Sequence, residues 1–279
     1  MMKTAMTESS DASAELDGPK AQLFAEGWCV VPDVLSSEEA AHVLERLWAA
    51  VEENRRRGQD TRLAGLDPNA ANVRVFNLLD LDPVFRDLIR RPVALDFVRT
   101  LLGPDFMVSN FTANIARPGS GSMSLHSDQA LVVPEPWLEP WAINIIWCLT
   151  DATFENGATL FIPGSQKVTR LAELGDNPAA RLRPFEAKAG SIVVMDGRIW
   201  HTSGANITAD QDRALMFGYY SRGFLRPQAN WNGALSPETQ RGLDPELRYM
   251  LGLDGYANFD LAGKVLSADL GNHRGQTQG

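Results

Sequence analysis

Cysteine is nearly missing from this chain, with two in 279 residues. Cys29 and Cys148 sit in apolar runs, GWCVV and IIWCL. They read as small buried hydrophobes of a reducing compartment rather than as halves of a structural disulfide. Long apolar runs are also missing. No stretch approaches the ~18 apolar residues that would cross a membrane. The N-terminus, MMKTAMTESSDASAEL, lacks the apolar segment of a secretory signal, so the expected location is the cytoplasm. Excess positive charge is absent too: the formal net charge is -9 and the pI about 5.0. The dense basic run Arg55, Arg56, Arg57 falls at the end of a predicted helix, where it suits the dipole. Neither nucleic acid nor membrane is an expected partner. No internal repeat or linker-like stretch divides the chain.

What is present suits one globular unit. Hydrophobic residues make up 44% of the chain, ample for a core. Residues 1–18, rich in Ser, Ala, Asp and Glu, are expected to be disordered. Residues 19–267 are expected to form a single domain, and 268–279 a flexible tail. The sequence admits a homodimer without arguing for one. Leu23–Val34 alternates loosely and is predicted as a short strand. Ser36 then opens a helix, with Glu39 completing a capping box and Ala40, Val43, Leu44, Leu47, Trp48 and Val51 on one apolar face. Asp82-Pro83 starts a helix or helix pair that runs to Gly103, with a break near Pro92. From Phe106 the texture changes to short apolar runs separated by Gly, Pro, Asn and Asp. The predicted strands are Phe106–Ala116, Ser124–Asp128, Trp141–Thr150, Ala158–Ile162, Ser191–Asp196 and Arg213–Tyr220. Ser165–Pro184 reads as a loop with a helical turn, and Ser236-Pro237 and Asp244-Pro245 open short helices. The fold expectation is mainly β, a sandwich or jelly roll flanked by N-terminal and C-terminal helices.

Four histidines limit the chemistry. His42 lies in the first predicted helix and His273 in the tail, which leaves His126 and His201 in the β region. His126 and Asp128 are two apart on a strand and face one side. His201, after the turn Gly197-Arg198, is the remaining candidate for a third ligand. Two His and one carboxylate on one face of an octahedron leave three positions open, as non-haem Fe(II) oxygenases need for a 2-oxo acid and O2. An HxD pair alone also arises by chance. Arg213 begins the apolar strand RALMFGYY, twelve positions after His201. Its guanidinium can grip a carboxylate in two parallel hydrogen bonds, and the distal carboxylate of 2-oxoglutarate fits that role. Leu215, Phe217 and Tyr219 share its face by alternation. The competing reading is a surface Arg paired with Asp210 or Asp212. Two other classes stay open on these residues: a metal-dependent hydrolase or isomerase, and a non-catalytic β-sandwich module.

HSD, ENGATLFIPGSQK, WHTSGAN and the Arg of DRALMF, with the opening GWCVVPDVLSSEEA, together resemble the phytanoyl-CoA dioxygenase family of Fe(II)/2-oxoglutarate oxygenases. The resemblance runs from about Leu23 to Tyr220, and departs from the family where Gln166 stands in place of a common His. It implies a double-stranded β-helix (jelly roll, cupin-like) and the cofactors Fe(II), 2-oxoglutarate and O2. It implies His126, Asp128 and His201 as iron ligands and Arg213 as the main 2-oxoglutarate anchor. Ser203 and Thr159 resemble further co-substrate contacts. Asn144, Trp147 and Asn114 are further candidates for that role. Related halogenases carry a small residue in place of the carboxylate, so Asp128 points to hydroxylation, desaturation or another oxidation instead.

For the substrate, the segment Asn72–Leu79 resembles that of members that tailor small natural products. Phe76 and Asn77 are candidate contacts, and Trp231 a candidate lid residue. The Pro-rich loop Gln129–Pro140 starts beside the expected ligands. No basic groove offers itself to the phosphates of coenzyme A, so a small neutral or apolar molecule is the expected partner. If these readings are right, anaerobic addition of Fe(II) and 2-oxoglutarate gives a weak charge-transfer band in visible absorption, and a folded protein showing no band counts against them.

Overall fold

The computed structural model of the chain describes residues 5–254. In order, its elements are α1 (Ala5–Glu26), β1 (Trp28–Val31), α2 (Ser37–Arg56), β2 (Asn72–Val75), α3 (Leu78–Leu81), α4 (Pro83–Ile89), α5 (Pro92–Leu102), β3 (Phe106–Ala116), β4 (His126–Ser127), β5 (Ala142–Cys148), β6 (Thr159–Phe161), β7 (Arg183–Pro184), β8 (Ile192–Asp196), β9 (Trp200–Ser203), β10 (Arg213–Arg222), α6 (Trp231–Ala234), α7 (Pro237–Gly242) and α8 (Pro245–Met250). Three short 3-10 turns fill the stretch between β6 and β7.

Local chemistry explains most boundaries. Ser36 Oγ accepts from the Glu39 N–H at 3.1 Å while the Glu39 carboxylate accepts from the Ser36 N–H at 2.8 Å, closing the expected capping box on α2. Asp82, Ser236 and Asp244 each cap a helix that has Pro in its first turn. Helix α1 is a correction. It begins at Ala5, inside the segment 1–18 expected to be disordered. Ala, Glu and Met carry high helix propensity. Leu16 packs against the core and Leu23 is buried in it, while Lys20 pairs with Asp96 at 2.6 Å, so the helix is anchored despite Gly18 and Pro19 within it. The expected tail, 268–279, lies outside the described residues.

Two antiparallel sheets face each other. The larger runs β1-β8-β5-β10-β3-β2 and the smaller β4-β9-β6-β7, the jelly-roll arrangement. Alternation sorts the side chains of the larger sheet. Ile143, Ile145, Trp147, Ala214, Met216 and Tyr220 point to the helices and join the main apolar core. Ile146, Cys148, Val193, Met195 and Leu215 point inward, where they meet Phe161 of the smaller sheet and Phe185 just after β7. A third cluster, around Trp137, Ile162 and Trp200, packs loop 129–140 on the outside of the smaller sheet. The site lies between the sheets at the end of this interior. Among the described residues, no helix is long and apolar enough to cross a membrane.

Cys29 on β1 and Cys148 on β5 are free, with β8 between their strands. Two strand spacings of roughly 4.8 Å put them beyond disulfide reach. Burial pushes each thiol up to about 12. Both thiols therefore stay protonated and silent to Ellman's reagent at pH 8 until the chain unfolds. Because the folded values are raised, their contribution to stability is whole below the ordinary value of 9.0 and declines above it. A pH series of denaturant melts reads that decline.

Candidate metal centre and co-substrate pocket

The pairing of β4 with β9 sets His126 directly opposite His201, with ring centroids 4.4 Å apart. Ser127, between the two expected ligands, points the other way. Its Oγ donates to the Gly197 carbonyl at 2.9 Å, and the Gln129 N–H donates to the same oxygen at 2.8 Å. These bonds fasten β4 to the turn that leads into β9. Each imidazole is oriented alike. His126 Nδ1 lies 2.9 Å from the Ser124 carbonyl and His201 Nδ1 3.0 Å from that of Ile199. A carbonyl can only accept, so Nδ1 carries the proton and the Nε2 lone pair is free. Burial, with His126 adding to it, pushes the His201 pKa down against the pull of Asp128. That favours the neutral, ligating form. Asp128 Oδ1 sits 3.7 Å from His126 Nε2 and 3.8 Å from His201 Nε2. Among the described residues this is the one group of three such side chains whose donor atoms converge, all within 4.8 Å of one another. Two imidazoles and one carboxylate are the donor set of an open non-haem iron site.

Arg213 opens β10 and is 1% exposed. Its Nε donates to the Gly157 carbonyl at 3.0 Å, and its terminal nitrogens to Asn114 O and Oδ1, each at 3.3 Å. Among the described residues no carboxylate pairs with it. Asp212 pairs with Arg117 instead, at 3.8 Å, so the surface-pair reading fails. Burial pushes the guanidinium down to about 10, with the charge of Arg74 adding to the effect, and it stays protonated at neutral pH. A buried cation met only by dipoles is costly unless an anion arrives. The NG of ENGATLF builds part of this cradle. Gly157 has φ +89°, and a Cβ there would stand 2.9 Å from the Gly204 carbonyl, so glycine is required where its own carbonyl turns to Arg213.

Ser203 and Thr159 face each other across β9 and β6 and line the same cavity as Arg213 and the triad. Ser203 Oγ accepts from the Met123 N–H at 3.0 Å, which leaves its hydroxyl hydrogen available to a ligand. Asn114 Nδ2 and Asn144 Oδ1 are buried in the cavity wall without partners. The unpaired amide donor of Asn114, a buried cation that no carboxylate meets and three convergent metal-ligating side chains fit iron with a dicarboxylate co-substrate.

Not every expected residue arrives there. Trp147 lies on the opposite face of β5 from Asn144, buried in the helix-side core, because residues three apart on a strand cannot share a face. Trp231 is likewise buried, its indole N–H donating to the Val108 carbonyl at 2.7 Å, so it is no lid. Phe76 and Asn77 are not in the cavity wall. Asn77 takes the left-handed N-cap position of α3 and its amide donates to the Ala234 carbonyl. Leu215 belongs to the core between the sheets, while Phe217 and Tyr219 do line the cavity. Gln166, the departure from the family pattern, donates to the Ala25 carbonyl at 3.1 Å and ties the PGSQ turn to α1. Sequence reasoning missed Asn110 and Thr112 on β3, and Arg74 on β2. The signal was polar residues at every second place of otherwise apolar strands. Arg74 forks onto Asp67, with Nη2 to Oδ1 at 2.6 Å, and Asp67 accepts from the Leu63 N–H at 2.8 Å, holding Leu66 against the cavity.

The model of the family Phytanoyl-CoA dioxygenase (PhyH) matches residues 24–214. Dioxygenase af480 of Aspergillus fumigatus is 52% identical over 243 residues, 87% of this chain and 79% of that protein. The chain belongs to the phytanoyl-CoA dioxygenase family. It is an Fe(II)- and 2-oxoglutarate-dependent dioxygenase, an oxidoreductase. Solved structures share the fold at low identity. HygX from Streptomyces hygroscopicus, with nickel and 2-oxoglutarate bound, has a TM-score of 0.62 at 18% identity, covering 76% of this chain and 89% of its own. The epimerase SnoN from nogalamycin biosynthesis has a TM-score of 0.62 at 20% identity, over 84% and 93%.

Replacing Arg213 by Ala removes the charge that the cavity holds for a carboxylate. Loss of a buried, hydrogen-bonded charge partner costs about 2 kcal/mol or more, roughly 30-fold in affinity. Calorimetric titration of 2-oxoglutarate into the Mn(II)-loaded protein measures it. Arg213→Lys recovers part of the loss, because a point charge cannot make the forked contact.

Proposed function

We propose that the chain oxidises a small, largely apolar organic molecule, in the first instance a natural product, by hydroxylation or desaturation. The observation that carries the reading is that the buried, carboxylate-free Arg213 opens into the same cavity as the His126–Asp128–His201 cluster. His126 and His201 would hold iron through Nε2 and Asp128 through Oδ1. Bound iron, with 2-oxoglutarate and O2, supplies the oxidising chemistry and leaves succinate and CO2. Arg213 fixes one end of the co-substrate, with Ser203 donating to the same carboxylate and Thr159 beside it. Asp128 fills the position a halide would need, which favours oxidation over halogenation. One chain contributes all of these residues, in one domain read as 19–267.

The substrate class follows from the wall. The cavity spans about 830 Å³, counting space open to solvent. Leu66, Leu131 and Phe217 give the cavity apolar wall, and Asn110 and Gln228 supply amides. Such a lining grips carbon skeletons and orients them by a few polar groups. Of the cations in the wall, Arg213 is committed to the co-substrate and Arg74 to Asp67. Neither is left for the phosphates of an acyl-CoA, despite the family name. SnoN, from nogalamycin biosynthesis, illustrates the fold at work on such compounds, by analogy of fold alone.

The experiment is a panel of small oxygenated carbocycles set against acyl-CoA thioesters, read out as succinate formed in excess of the substrate-free rate. Stimulation by the former and none by the latter is expected. Stimulation by acyl-CoA overturns the substrate class, and no 2-oxoglutarate-dependent succinate under any condition overturns the residue roles.

A further inference from the structure

Asp128 is the triad member that no strand pairing holds, since β4 ends at Ser127. Two side chains from the facing sheet reach it. Asn144 on β5 and Tyr219 on β10 are cross-strand partners. Asn144 Nδ2 donates to Asp128 Oδ2 at 3.0 Å, and Tyr219 Oη donates to the Asp128 main-chain carbonyl at 3.3 Å. One grips the carboxylate and the other the backbone behind it. The oxygen left over, Oδ1, is the one that faces both imidazole Nε2 atoms.

We propose that Asn144 and Tyr219 form a clamp of positioning residues that holds Asp128 to ligation through a single oxygen. The proposal rests on the reading of His126, Asp128 and His201 as the metal ligands. A carboxylate with both oxygens free can swing to chelate a metal and occupy a further coordination position. A 2-oxo acid and O2 together need all three positions that a facial triad leaves open. By tying up Oδ2, Asn144 keeps that third position clear. This differs from the co-substrate contact expected of Asn144. Its amide nitrogen already serves Asp128, and its buried Oδ1, which has no partner, would repel a carboxylate rather than bind it. Tyr219 suits a permanent tether, because its ring is buried and its hydroxyl faces a main-chain carbonyl that can only accept.

Cobalt(II) tests this without turnover. Apo protein of wild type, Asn144→Ala and Tyr219→Phe is titrated with Co(II), the visible d–d bands are recorded, and 2-oxoglutarate affinity is then measured at saturating Co(II). Loss of an outer-shell partner weakens metal binding by about 10- to 100-fold. Asn144→Ala is expected to show that loss and altered d–d bands, with 2-oxoglutarate affinity unchanged. Tyr219→Phe is expected to weaken Co(II) binding in the same direction by less. An Asn144→Ala protein with wild-type Co(II) affinity and bands overturns the clamp, as does a defect confined to 2-oxoglutarate. If Asn144→Ala fails to fold by circular dichroism, Tyr219→Phe decides, since it removes one oxygen and no carbon. A His201→Ala control that binds Co(II) as tightly as wild type overturns the ligand assignment itself, a result distinct from failure of the clamp alone.

Discussion

The antiparallel pairing of β4 with β9 sets His126 opposite His201, and the rest of the site hangs on that register. Strand faces alternate with period two, so a slip of one residue would turn an imidazole away from its partner. Two bonds to one oxygen hold the register. Ser127 Oγ and the Gln129 N–H both donate to the Gly197 carbonyl, just ahead of β9. The small middle residue of His-Ser-Asp is thus as much part of the arrangement as its neighbours. It looks outward to fix the strand while they look inward.

A second constraint is electrostatic. Arg213 is fully enclosed, and the groups it meets are carbonyl and amide dipoles from Gly157 and Asn114. The larger sheet supplies this charge, and the smaller sheet supplies the imidazoles and the hydroxyls of Ser203 and Thr159. Neither sheet holds a complete site. Their facing arrangement, set by the apolar interior of Phe161, Phe185, Val193 and Leu215, brings the two halves together.

Much of this was legible in the sequence, for physical reasons. Caps at Ser36, Asp82, Ser236 and Asp244 act over a few residues, so the helix starts can be read directly. The strand Phe106–Ala116 shows its length in its β-branched and aromatic content, and the fold class follows from such runs. The chemistry was legible because histidine is scarce and the motifs around it are specific. What could not be read were the partners set by tertiary packing. The short strands β2, β7 and β9 carry too few residues for a periodic signal. Phe76, Asn77 and Trp231 carry no local mark that separates a core or capping position from a cavity wall. Trp147 could have been excluded, since it and Asn144 are an odd number of places apart.

The ion pair of Arg74 with Asp67 separates the wall of the cavity from its reactive end. Asp67 organises the turn at Leu63, Arg74 carries Asp67, and the Arg74 N–H donates to the Thr61 carbonyl at 2.8 Å, so the backbone beneath Leu66 is fixed without help from Leu66 itself. The side chain at that place can therefore change in size or polarity without disturbing its own support or the metal ligands. A lineage of such enzymes could exchange one carbon skeleton for another by mutation at this loop while inheriting the oxidation chemistry intact.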